Sequence, residues 1–200
     1  IDEYVEDATR PNLVSFCFHM DEAVAKLTLT FDETVNGSSV DVGSLTLQSQ
    51  NSSDAVSRVL SRWSTATTAY STMVEISLDQ GDSDYIKAHV ALATSRDNTF
   101  MSLTDGLVRD MNANAVEVIG SSIAKQENDC HLEDTVTPYL VGYDLNFDSF
   151  ELTLTFSETI DNSTLNIDQL VFHSTSTSST DSIFQLTGYQ HQERVDLTNV

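Results

Sequence analysis

The residues of this chain best suited to chemistry are its carboxylates, its asparagines and its two cysteines. Asp7, Glu33, Asp110 and Asn112 offer hard oxygen donors, the kind Ca2+ collects when several meet at one point. Their spacing is not that of an EF-hand loop. They are calcium candidates if the fold gathers them, and solvated turn residues if it does not. Asn36-Gly37-Ser38, Asn51-Ser52-Ser53 and Asn162-Ser163-Thr164 match the acceptor pattern for N-linked glycans. The hydroxyl-rich run from His173 to Thr180 reads as a flexible loop or a carrier of O-linked glycans. Cys17 and Cys130 are candidates for one disulfide in an oxidising compartment, and otherwise two unpaired small residues. Zinc is disfavoured, since no Cys-x-x-Cys or His-x-x-x-His pair is present. No nucleophile elbow, phosphate loop or dinucleotide fingerprint stands out, so no catalytic residue is assigned and the chain is not expected to be an enzyme.

The elements that must position these residues follow from composition and period. The chain has 200 residues, 9 basic and 31 acidic, for a net charge of −22. Such a surface is repelled by phosphate backbones, so nucleic acid is excluded as a partner. No apolar run reaches the length of a membrane-spanning helix, so membrane insertion is not expected. Apolar content of 40%, with nine Phe and six Tyr, suffices for a packed core.

The chain is internally duplicated. An offset of 127 carries Glu6-Asp7 onto Glu133-Asp134, Pro11 onto Pro138 and Leu13-Val14 onto Leu140-Val141. After a two-residue deletion the offset is 125, and Leu27-Thr28-Leu29-Thr30-Phe31 falls on Leu152-Thr153-Leu154-Thr155-Phe156. Glu33-Thr34-Val35 then falls on Glu158-Thr159-Ile160. Across residues 6–49, 16 of 42 aligned positions are identical. Residues 6–132 carry 8 basic and 18 acidic side chains, and residues 133–200 carry 1 and 11, so both copies share the acidity.

The dominant period is two, as in half-buried strands. Phe16, Phe18 and Met20 alternate with Ser15, Cys17 and His19, which puts Cys17 on the outward face. Leu45 with Leu47, Val74 with Ile76 and Leu78, and Val116 with Val118 continue the pattern. Turn residues separate these runs, and about seven strands per copy read as an antiparallel β-sandwich. A short helix is expected over 83–90, crossing between sheets. Trp63 is expected in the core or covering a sheet edge, with a sugar platform as the alternative. The organisation expected is the end of a preceding linker at 1–5, a complete domain at 6–119, a polar linker at 120–137 and the first part of a second domain at 138–200.

Pro-x-Leu-Val before an alternating strand, and the LTLTFSETI stretch with its Asn/Ser-rich loop, resemble bacterial-type Ig-like domains of surface-layer proteins. The DMNANAV stretch is similar to that family's Asp-x-x-Gly-Asn turn, with Ala113 where Gly is usual. SDYIKAHVALATS resembles tandem Ig-like repeats in large surface proteins of heterokont algae, some of which build matrix or flagellar hairs (mastigonemes). The resemblance implies an all-β fold of tandem repeats and a structural role outside the cell. On this reading the chain is a repeat unit of an extracellular glycosylated filament, and its partners are neighbouring repeats or copies of itself. The alternative is a cell-surface adhesin or carbohydrate-binding module, which would cluster exposed aromatics on its loops.

Overall fold

A computed structural model describes residues 6–21, 24–128, 130–175 and 182–187. Among the described residues the structure is mostly β, consistent with an all-β fold, with antiparallel sheets and one α-helix. Its first unit, residues 6–132, contains β1 (Leu13–His19), β2 (Lys26–Asn36), β3 (Leu45–Gln48), β4 (Ser57–Val59), β5 (Thr65–Ala66), β6 (Tyr70–Ser77), α1 (Gln80–Ala88), β7 (Phe100–Leu103) and β8 (Lys125–Gln126). These strands form two four-stranded sheets, ordered β1-β2-β6-β5 and β4-β3-β7-β8.

One core joins both sheets. Phe16, Phe18, Leu27, Leu29, Val74 and Ile76 come from the first sheet, and Leu45, Leu47, Met101 and Leu103 from the second. The alternation that marks these residues is what brings them together, since every second side chain of a strand shares a face. Helix α1 crosses from β6 to β7 and so from one sheet to the other. It starts at an Asp79 cap, whose carboxylate accepts from the Asp82 amide.

The second segment holds β9 (Leu140–Asn146), β10 (Glu151–Phe156), β11 (Val171–His173) and β12 (Ile183–Gln185), paired β9 with β10 and β11 with β12. Its first hairpin has the register of β1–β2. Leu13 faces Phe31 and Ser15 faces Thr30 across a bulge; Leu140 faces Phe156 and Gly142 faces Thr155 across the same bulge. The two-residue deletion lies in the hairpin loop, where it leaves the ladder untouched. Both hairpins lead into paired 3-10 turns capped at aligned positions. Asn36 and Asp161 accept from the amides two residues on, as do Asp41 and Asn166.

Three expectations need revision. Lys125–Gln126 pair with β7, Glu127 is buried, and Leu132 exchanges backbone bonds with Phe18 and Met20. Residues 120–132 of the expected linker are therefore bound into the first unit, because strand β1 and β7 each had backbone groups left to pair. Val116 is buried but Val118 is 51% exposed, since isolated bridges at Ala115 and Ile119 and single backbone bonds such as Glu117 N–H to the Pro11 carbonyl, not a continuous ladder, hold this stretch. Trp63 is 87% exposed, in the turn between β4 and β5. The spans 1–5 and 188–200, and most of the Ser/Thr run at 176–180, lie outside the described residues.

Candidate functional site

One end of the first unit gathers carboxylates. The N-terminal stretch is held there by Arg10, whose Nε and Nη2 donate to the carbonyls of Ala115 and Val116, each at 2.8 Å. The side-chain Nδ2 groups of Asn112 and Asn114 donate to the Asp7 carbonyl at 3.3 and 3.0 Å. Asp110 shapes the neighbouring turn. Its Oδ1 accepts from the Asn112 and Asn114 amides at 2.9 and 2.7 Å, and its Oδ2 accepts from Asn114 Nδ2 at 2.8 Å. Ala113 takes the left-handed conformation, with φ of 66°, a conformation that favours Gly.

Glu33 arrives from β2. Phe31 and Val35 on either side are buried, so period two turns Glu33 the same way, toward the core edge. Oxygens of Asp7, Glu33 and Asp110 lie within 4.8 Å of one another. The Oε1 atom of Glu33 is buried and has no hydrogen-bond partner. Burial, followed by the charges of Asp7, Asp110 and Asp32, raises the Glu33 pKa above the ordinary value. Asp32, pointing the other way, accepts from the Asn12 amide and side chain, and these bonds lower its pKa. Three of the four calcium candidates thus meet. Asn112 serves as a donor to Asp110 and Asp7 and turns its amide N–H groups, not a ligand oxygen, to its neighbours.

A second cluster was not legible as such. Lys87, on α1, places its Nζ 2.9 Å from Asp134 Oδ2 and 2.9 Å from Glu158 Oε2. Thr159 donates to Asp84 Oδ1 at 2.7 Å, from the next turn of the same helix face. Thr135 donates to Asp21 at 2.7 Å. These bonds tie the second segment to the first unit. Burial opposes the Lys87 charge, but the hydrogen bonds and charges of Asp134 and Glu158 outweigh it and hold the ammonium above its usual range. Helix α1 is itself fixed from the other side: Arg58 pairs with the buried Asp82 at 2.8 Å and lies over the Tyr85 ring. The signal available in sequence was the parity of Glu33 and Glu158, each an acid two residues beyond the aligned Phe31 and Phe156.

Cys17 and Cys130 form a disulfide with a Cα–Cα distance of 5.5 Å. It staples β1 to the segment leading to Leu132. Beside it, Glu127 is buried, accepts from the Phe18 amide and contacts His131 Nδ1 at 2.6 Å. Burial raises the Glu127 pKa against these bonds. Among the glycosylation candidates Asn51 and Asn162 are exposed, and Asn36 is half-buried with its Oδ1 accepting from Ser38. No helix among the described residues is long and apolar enough to cross a membrane. No family model, curated protein or solved structure matches the chain.

Proposed function

We propose that the chain is a structural segment of Ig-like β-sandwich repeats joined head to tail, belonging to an extracellular glycosylated filament or surface appendage. The observation that carries this reading is the joint. Lys87 and Asp84 of one unit engage Asp134, Glu158 and Thr159 of the next, and all three of these positions are duplicated in sequence as Asp7, Glu33 and Thr34. The shared hairpin register, bulge and turn caps support the duplication. Salt-linked units add length by repetition, with each contacting only its neighbours. The disulfide supports an oxidising setting outside the cytosol. The open apolar side of the second segment suits completion by a neighbouring β-element, which would add strands to an unpaired edge.

Negative-stain microscopy and small-angle scattering test the reading. Elongated particles that lengthen with concentration are expected. Monodisperse globular monomers at high concentration would count against it. Deglycosylation that leaves the mass of secreted protein unchanged would remove the glycan part of the proposal.

The exposure of Trp63 favours a second reading, a carbohydrate-binding surface, because an exposed indole is a ready platform for a sugar ring. Glycan-array binding lost in Trp63→Ala would support it, and an array without hits would not.

A further inference from the structure

The residues that meet the helix at the joint occur twice, but only one set is paired with a helix within the described residues. Asp134, Glu158 and Thr159 receive Lys87 and Asp84. Asp7, Glu33 and Thr34 are the same three residue types at the aligned positions, with the Glu-Thr pair starting two residues after the aligned Phe31 and Phe156 of the two hairpins. We infer that the Asp7–Glu33–Thr34 edge is the acceptor for a helix of a second copy of this unit, which presents a lysine ammonium to Asp7 and Glu33 and a carboxylate to Thr34. The inference rests on the head-to-tail reading and names its partner.

The chemistry of the edge favours an ammonium over a metal ion. Both Asp110 oxygens are already engaged by the Asn112–Asn114 turn, so Asp110 supplies negative field and not a vacant ligand. The Asp7 carbonyl is likewise taken by two asparagine amides, and Asp7 Oδ1 accepts from the Thr9 amide. What is left is chiefly the Glu33 carboxylate, with one buried unpartnered oxygen, and the free oxygen of Asp7. Ca2+ needs six or more oxygens, whereas an ammonium has three N–H donors to place. Two carboxylates and a hydroxyl are what Lys87 and Asp84 meet at the other joint. The spacing of Lys87 and Asp84 is set by the helix, since positions three apart share a face.

The test is a fusion that places residues 6–132 ahead of Glu6 of the full chain. This copies the natural junction, where Leu132 is followed by Glu133-Asp134. Zero-length carbodiimide cross-linking joins carboxylates only to amines in contact, and the acceptor peptide identifies the joint by mass. The expected product links Lys87 to Asp7 or Glu33 and disappears with Lys87→Met in the leading copy. A second readout needs no cross-link: Glu33→Gln should raise the unfolding midpoint of the full chain and lower that of the fusion. Cross-links at Asp134 or Glu158 alone, with no reversal for Glu33→Gln, would overturn the inference and leave the head-to-tail reading standing. Absence of both cross-links would overturn the two together. Saturable binding of Ca2+ to the full chain, measured by calorimetry and lost in Glu33→Gln, would reassign the edge as a metal site.

Discussion

The same hairpin is buried in one half of the molecule and open in the other. Phe16 and Met20 are 0% and 3% exposed, while Tyr143 and Phe147 at the aligned positions are 63% and 74% exposed. Leu29, Phe31, Val35 and Leu45 lie in the core, while Leu154, Phe156, Ile160 and Leu170 line an open apolar groove. Strand pairing, bulge and turn caps nevertheless agree. Local structure therefore follows from alternation and Asx chemistry, whichever way the apolar face is covered. Burial is a property of the opposing sheet. In the first unit β3, β4, β7 and β8 provide it; the second segment has only the β11–β12 pair among its described residues.

Matched substitutions probe this contrast most strongly. Leu29→Ala should cost about 3–5 kcal/mol in urea unfolding, because it leaves a cavity in a closed core. Leu154→Ala should cost about 1 kcal/mol or less, since its side chain already meets solvent. Equal losses would mean that the second face is closed in solution.

Replacing both cysteines, Cys17→Ser with Cys130→Ser, should lower stability by about 2–4 kcal/mol. The loss should concentrate in the first unit, visible as faster amide exchange in β1 and around Leu132. An unchanged unfolding midpoint would show that backbone pairing to Leu132 alone holds this segment.

The two equivalent glutamates should respond with opposite sign. Glu158→Gln removes a charge-assisted bond to Lys87 and should destabilise the joint by about 1–2 kcal/mol. Glu33→Gln removes a carboxylate crowded by Asp7 and Asp110 and should stabilise the chain by up to about 1 kcal/mol at neutral pH. The pH dependence follows from the raised Glu33 pKa. The folded state binds this proton more readily than the unfolded state, so Glu33 weakens folding above its folded pKa. That penalty fades as pH falls toward the ordinary value of 4.5, and Glu33→Gln should flatten this part of the stability profile. Thermal melts across pH check both the sign and the window.

The smallest effect is expected at the turn beside that edge. Ala113→Gly should stabilise by about 0.5–1 kcal/mol, because the left-handed φ of 66° strains a Cβ-bearing residue. A loss of stability would mean that the unfolded-state entropy of Gly outweighs the relief.

Much of the local architecture was legible beforehand. Leu27, Leu29 and Phe31 alternate into the core, Phe16, Phe18 and Met20 do the same, and a helix does cross between the sheets, over Gln80–Ala88. Trp63 departs from the expected burial because an aromatic side chain carries no mark of where its turn will leave it. Val118 was misjudged because alternation implies a face only where a ladder exists to hold the strand flat. At the candidate site, Asp7, Glu33 and Asp110 stand out in the sequence as oxygen donors, but their meeting depends on how the N-terminal stretch, β2 and the Asp110 turn come together. The role of Lys87 could not, since nothing near it in sequence is its partner.

By itself, the sequence determined what depends on neighbours along the chain: the period of two, the hairpin register, the Asx caps, the acidity of both halves and the duplication. Those features arise from alternating side chains and from donors two residues away. Only the tertiary structure decided which groups separated by long stretches would meet. The closure of Cys17 on Cys130 across 113 residues is one case, and the salt link from Lys87 to Asp134 and Glu158 is another. Such contacts depend on how sheets, helix and segment are stacked in space, which no local spacing encodes.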